Sequence, residues 1–265
     1  MTKKSANLNQ PANEETHINV NTFGRVRSMI TELSQIPRCT GQPVLGFDLE
    51  GNNLGRYGKT CYLQIRDYVQ NTTYLIDVQE LGKKAFTTTG SDGVTSLKSI
   101  MEDKDIQMVI YDCRQDADAL NAHFDVQVKG VVDVQLMKML SWQYFSEYRP
   151  GYAVTMAHDA NLNETELAEW NRHKGYDFKR DYSVFERRPL PQSLKLYAVN
   201  DVQYLLRLYD TLSKKLTLRG MEIALEWSQR EAQATWADGW VSTRALVDGQ
   251  YSKYWREKLH VSANI

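Results

Sequence analysis

Cysteine is scarce in this chain. Cys39, Cys61 and Cys113 are the only three among 265 residues, and they form no C-x-x-C pair. A disulfide framework or a zinc knuckle needs more, so cysteine usage points to a reducing compartment. Histidine is nearly as sparse: His17, His123, His158, His173 and His260 show no H-x-x-x-H spacing and are expected to bind no metal. No apolar run approaches the roughly 18 to 20 residues of a membrane span, which argues against an integral membrane protein. The first ten residues are polar, with no apolar stretch to serve as a signal sequence, and Glu14 and Glu15 argue against a mitochondrial presequence. The expected location is intracellular, cytoplasmic or nuclear. An excess of one charge is also missing, since 32 basic and 33 acidic side chains leave a formal net charge of -1. The overall basicity common in nucleic-acid-binding chains is therefore absent, and any such partner must be held by a local surface. What is present is 42% hydrophobic and 25% charged residues. That is enough for a sizeable core, and it excludes wholesale disorder. The length, at about 150 residues per domain, gives between one and two domains.

Hydrophobic periodicity organises the rest. Residues 1–20 are polar and aperiodic, and read as a flexible tail. Phe23, Val26, Ile30 and Leu33 lie at helical spacing within residues 20–36, one packed face that Pro37 terminates. Residues 43–50 read as a buried strand, and 60–66 and 72–77 as two further strands with Asn71 at the hairpin turn. A short helix at 96–101, a strand at 107–111, a helix at 114–124, a strand at 130–133 and a helix at 134–145 follow. Residues 150–191 are polar, aromatic and basic, and suit helical turns joined by loops. Pro191 fits the first turn of a helix whose Leu194, Tyr197, Ala198, Val202, Leu205, Leu206 and Leu208 form a wide apolar stripe. A last helix covers 218–233, followed by a segment with Trp236, Trp240, Tyr251, Tyr254 and Trp255. Three leading strands and then alternating helices and strands predict an α/β fold, a mixed β-sheet flanked by helices.

Four acids and one tyrosine carry the chemistry. Asp48 and Glu50 stand two apart on a predicted strand, so both carboxylates leave the same face. They sit at the strand's C-terminal end, where α/β sheets tend to place their sites. Two carboxylates crowded at the end of an apolar strand repel each other unless a cation lies between them. Solvated acids at a fraying strand end would be the simpler account of this pair alone. Tyr197 and Asp201 are four apart in a helical segment and share a face. Asp116 opens the helix at 114–124, where the macrodipole already favours an acid. Asp112 and Asp118 have the same explanation and carry no catalytic expectation.

Taken together, D-x-E on a first strand, Asp at a mid-chain helix start and Y-x-x-x-D on a late helix resemble the DEDD superfamily of 3'-5' exonucleases. The tyrosine marks the DEDDy branch, which includes ribonuclease D. Phe47-Asp-Leu-Glu-Gly51 resembles the first motif, Asp116-Ala-Asp-Ala-Leu120 the second, and Tyr197-Ala-Val-Asn-Asp-Val-Gln-Tyr-Leu-Leu206 the third. Arg188-Pro-Leu190, just before the last of these, is also family-like. Asp-Leu-Glu-Gly-Asn-Asn-Leu-Gly-Arg-Tyr-Gly58 and Tyr111-Asp-Cys-Arg114 are similar to the egalitarian-like branch, whose members occur in RNA biology. The likeness spans about residues 40–215. Tyr111 stands where many relatives have His, and residues 146–187 are longer than in minimal members. The resemblance implies a ribonuclease H-like fold with an exonuclease domain at 21–217, preceded by the tail and followed by a helical extension at 218–265.

Phosphodiester cleavage builds negative charge on the phosphoryl oxygens, the attacking water and the leaving 3' oxygen. Two divalent cations roughly 3.5 to 4 Å apart can stabilise both ends of that displacement. All-carboxylate ligands suit Mg²⁺ or Mn²⁺ better than zinc. By resemblance, Asp48, Glu50 and Asp201 would hold one ion, Asp48 would bridge to a second that Asp116 supports, and Tyr197 would orient the attacking water. The same resemblance gives Leu54 as an apolar wedge against the terminal base, the Gly51 amide as a contact for the 3'-hydroxyl, and Arg188 as a further substrate contact. The implied reaction releases nucleoside 5'-monophosphates from the 3' end of single-stranded nucleic acid, RNA favoured over DNA. Residues 172–188 interleave basic side chains with Tyr176, Phe178, Tyr182 and Phe185, a mixture that suits phosphates and stacked bases. A solvated, partly packed loop would account for it equally well. Lys214, Lys215 and Arg219 could extend that track. The alternative function is a catalytically weak RNA-binding adaptor that keeps the fold. The aromatic C-terminus suits a homodimer or protein partner, or docking back onto the domain.

Overall fold

The computed structural model describes residues 17–141, 149–174 and 181–241. Strand β1 (His17–Val20) precedes helix α1 (Phe23–Leu33), and β2 (Leu45–Asn52), β3 (Lys59–Asp67) and β4 (Thr72–Asp77) follow. Three short helices, α2 (Val78–Leu81), α3 (Lys84–Thr87) and α4 (Leu97–Met101), lead to β5 (Met108–Ile110), α5 (Arg114–Phe124) and β6 (Val131–Asp133). Then come α6 (Val134–Ser141), α7 (Tyr152–Asp159), α8 (Glu164–Lys174), a 3₁₀ turn (Tyr182–Glu186), α9 (Gln192–Gln203), α10 (Leu205–Ser213) and α11 (Leu218–Ala234). The six strands form one sheet in the order β1-β4-β3-β2-β5-β6. β2 to β4 pair antiparallel, whereas β1 joins β4, and β5 joins β2 and β6, in parallel. The sheet is mixed and helix-flanked, as the patterning predicts.

Three local departures have physical causes. The last four residues of the expected tail form β1, because Ile18 and Val20 are β-branched and the edge of β4 offers a ladder. Residues 1–16 lie outside the described residues. The first long helix begins only at Phe23, where the Thr22 side chain accepts from the Arg25 amide. Its packed face is Val26, Met29, Ile30 and Leu33, while Phe23 is 49% exposed beneath the Lys84 ammonium. The helix expected to run unbroken through Leu208 divides at Tyr204 into α9 and α10. The Tyr68 hydroxyl sits at that break, donating to the Val202 carbonyl and accepting from the Leu206 amide. Gly46 on β2 makes room for it, since a Cβ there would lie 2.6 Å from the Tyr68 oxygen.

The alternation of β2 decides where the chemistry faces. Leu45, Phe47 and Leu49 point into a core with α1, α3, α4 and α5. Gly46, Asp48 and Glu50 point the other way, toward α9 and α10. On that side a second core joins Met137, Trp170, Leu208, Ile223 and Trp227, and a third joins Tyr62, Phe185, Leu194 and Ala198. Tyr111 and Tyr152 edge the second core and Tyr197 the third, so the D-x-E face opens between two packed walls.

Candidate active site

β2 and α9 bring three carboxylates together. Asp48, Glu50 and Asp201 each offer an oxygen within 4.8 Å of the others. A cavity of about 330 Å³ opens over them, lined by Tyr111, Tyr152, Ala153, Lys174, Tyr197 and Leu205 besides the three acids. Asp116 stands behind this group rather than in the cavity lining. Its Oδ1 accepts from the Leu49 amide at 2.9 Å, so the peptide between Asp48 and Glu50 is tied to the first turn of α5. Tyr197 donates its hydroxyl to Asp201, one helical turn on. The Tyr152 hydroxyl donates to the Asp201 carbonyl at 3.0 Å, and Tyr111 donates to the Pro150 carbonyl.

Burial pushes all four carboxyl groups up, and repulsion by neighbouring acids adds to it at Asp48, Glu50 and Asp116. Asp48 rises through desolvation and then the charge of Asp201. Glu50 rises through desolvation and the charges of Asp48, Asp201 and Asp116. Asp116 follows for the same reasons, with Asp48 the largest charge. Asp201 is pushed up to about 7 by burial, against the hydrogen bond from Tyr197 and the positive charge of Lys174. Desolvation and the neighbouring acids also raise the Tyr197 phenol, which therefore stays protonated at neutral pH. Glu50 Oε1 is buried and has no hydrogen-bond partner. An all-oxygen donor set, crowded, desolvated and with an orphaned oxygen, fits a hard divalent cation.

The other predicted contacts, Gly51, Leu54 and Arg188, have defined protein surroundings. Gly51 begins a bulge: Glu50 pairs with Tyr62 but Gly51 with Thr60. A Cβ on Gly51 would lie 2.0 Å from the Lys59 carbonyl oxygen, so the close approach that requires glycine is to β3. Leu54 is partly buried and packs on the first core. Arg188 pairs with Asp77, lies over the Tyr62 ring at 4.4 Å and donates to the Phe185 carbonyl, engaging its guanidinium within the protein. Of the aromatic-basic segment, residues 175–180 lie outside the described residues, as do Tyr251, Tyr254 and Trp255. Val184 and Phe185 are buried in the third core, and Tyr182 is exposed. Sequence reasoning passed over Tyr152, read Leu205 only as part of an apolar stripe and Lys174 only as part of the aromatic-basic segment, because only the tertiary packing of α7, α8 and α10 brings them to the strand end.

A second acidic group is already satisfied. Cys113, Asp133 and Glu231 lie close enough to hold an ion. The Asp133 carboxylate accepts from the amides of Asp112, Cys113 and Gln135, and Glu231 forms a buried ion pair with Arg149. That group braces α11 against β6. Among the described residues no helix is long and apolar enough to cross a membrane.

Comparison with known proteins agrees with this geometry. The family model of 3'-5' exonucleases matches residues 19–217. The piRNA biogenesis protein EXD1 of Mus musculus is 29% identical over 174 residues, covering 63% of this chain and 28% of that protein. Human EXD1 is 30% identical over 176 residues and is covered to 32%. The chain thus spans about a third or less of the curated relatives it matches. Among solved structures, Trypanosoma brucei RNase D in complex with RNA U12 aligns with a TM-score of 0.70 at 20% identity. That alignment covers 90% of this chain and 78% of the other. These likenesses give the fold, the ribonuclease H-like arrangement of RNase D. The family model spans most of the chain, and the chain belongs to the 3'-5' exonuclease family of DEDD type.

Proposed function

We propose that the protein is a metal-dependent 3'-5' exonuclease that removes nucleoside 5'-monophosphates from single-stranded nucleic acid, RNA favoured. The observation that carries this reading is the convergence of Asp48, Glu50 and Asp201 within 4.8 Å, with Tyr197 bonded to Asp201. Asp48, Glu50 and Asp201 would hold one Mg²⁺ or Mn²⁺, and Asp48 with Asp116 would serve a second. Bound cations would supply Lewis acidity that lowers the pKa of water and offsets charge on the phosphoryl group and leaving oxygen. The chain's own residues do the rest. Tyr197, held as a phenol, positions the attacking water and does not take its proton. The water oxygen adds to phosphorus, the P–O3' bond breaks, and a proton ends on the departing 3' oxygen. Lys174 closes the last turn of α8 at the cavity rim, with its ammonium over the Trp170 ring at 4.6 Å. It is placed to meet a phosphate beside the acids.

RNA is favoured because the text from Asp48 to Gly58 resembles the egalitarian-like branch. The RNA bound by the trypanosomal neighbour adds support at the level of fold. The test is degradation of matched 5'-labelled RNA and DNA oligonucleotides with Mn²⁺ or Mg²⁺, by wild type and Asp48→Ala. A ladder from the 3' end that Asp48→Ala abolishes is expected, stronger on RNA. No ladder with any divalent metal overturns the enzyme reading and leaves an RNA-binding adaptor. A ladder that survives the substitution overturns the site.

A further inference from the structure

The loop between β2 and β3, residues 53–58, follows directly from the strand that carries Asp48 and Glu50. By charge alone, its Arg56 would serve a phosphate. The contacts say otherwise. The Arg56 amide donates to Asp118 Oδ2 at 2.7 Å, and its Nε donates to Asp118 Oδ1 at 2.7 Å. Nη1 reaches the Ala237 carbonyl at 3.1 Å and Nη2 the Thr235 carbonyl at 2.6 Å. The Trp240 ring lies 5.9 Å from the guanidinium carbon. Arg56 is only 14% exposed and Asp118 3%, so the planar fork is spent on one carboxylate and two carbonyls. The loop is pinned at neighbouring points as well. His123 Nε2 bonds the Gly55 carbonyl at 3.0 Å, and Leu54 packs on the first core. Gly55 has φ +123°, and a Cβ there would lie 2.6 Å from Gln115 Oε1, so the backbone rests against α5.

Thr235, Ala237 and Trp240 follow α11 and lie beyond the residues 19–217 that the family model matches. We propose that Arg56 is a positioning residue which locks the β2–β3 loop between α5 and the segment after α11. Residues 235–240 thereby become part of the apparatus that seats the 3'-terminal nucleotide. The inference rests on the exonuclease reading, in which the 3'-terminal nucleotide meets the end of β2, where this loop begins. Arg56 touches no substrate and acts through the loop. Asp118, which carries no catalytic expectation from sequence, becomes the anchor of the lock.

The experiment compares the full chain with Arg56→Ala, Arg56→Lys and Asp118→Asn. Amide hydrogen exchange is read at residues 52–59, and kinetics are measured on a 5'-labelled single-stranded RNA. Exchange in the loop of Arg56→Ala is expected to rise about tenfold while the strands stay protected. KM is expected to rise about tenfold with kcat within about threefold of wild type, because the acids and Tyr197 are untouched. Lysine is expected not to rescue, since one ammonium cannot hold three acceptors in a plane. Unchanged loop exchange overturns the proposal, as does a lowered Tm with unchanged KM. If Arg56→Ala does not fold, Arg56→Lys and Asp118→Asn carry the same readouts. If wild type degrades nothing, the exonuclease reading fails by itself. Loop exchange and RNA affinity by fluorescence anisotropy then decide the lock, with the same expected and overturning results.

Discussion

A carboxyl group surrounded by carboxyl groups stores a conflict that proton or metal can relieve, and Asp201 gives it a pH. Its pKa is pushed up to about 7 by burial. The fold therefore binds a proton that the unfolded chain has already released, and this stabilisation is full below the ordinary carboxylate range and lost as pH rises through about 7. The metal-free protein is expected to show a falling Tm between about pH 5 and about pH 8. Mg²⁺ or Mn²⁺ should raise Tm more at the upper end, because ligation needs the deprotonated acids. A metal-induced shift of equal size at both pH values would contradict this. Tyr197→Phe keeps the packing and removes the hydroxyl, so kcat is expected to fall on the order of 10²-fold with KM little changed. Lys174→Met should instead raise KM, read in the same assay. Gly51→Ala tests the bulge: a Cβ 2.0 Å from the Lys59 oxygen forces β2 and β3 apart beside Glu50. Urea denaturation should show a loss of about 1 to 3 kcal/mol, the cost of overpacking.

At the scale of elements, α11 is held by charge as well as by apolar contact. Arg149 pairs with Glu231 at side-chain exposures of 5% and 2%, and Ser228 accepts from the Asp133 amide. Glu231→Ala leaves a buried guanidinium without its partner, and is expected to cost about 3 to 5 kcal/mol in chemical denaturation. How far such elements can be read in advance depends on how local their causes are. The D-x-E strand and the Y-x-x-x-D helix were legible, because residue spacing sets which side chains share a face. α5 was legible to the residue, since Ala117, Leu120 and Phe124 mark its period. β1 was not, because four residues carry no period and the strand exists through pairing with β4. The break at Tyr204 was hidden by an apolar stripe that runs on through Leu205 and Leu208. The bond from the Leu49 amide to Asp116 spans 67 residues, and nothing in either segment announces it.

For the whole molecule, the family match stops before the fold does. Ile223, Ala224 and Trp227 of α11 belong to the second core, and its carboxylate and hydroxyl brace β6 and Arg149. A chain ended at residue 217 is expected to lose cooperative unfolding, checked by circular dichroism and a thermal melt. A sharp transition at the full-length Tm would contradict the account. The helix break at Tyr204 has a different consequence. A continuous helix is torsionally stiff, so any rotation at its far end would swing Tyr197 and Asp201 around their common axis. With the Tyr68 hydroxyl wedged between Val202 and Leu206, the twist of α9 ends two residues beyond Asp201. One hydroxyl thus closes both helix ends, and α10 starts on a new axis that turns Leu205 into the cavity beside Asp201, a residue that an unbroken helix would have aimed elsewhere.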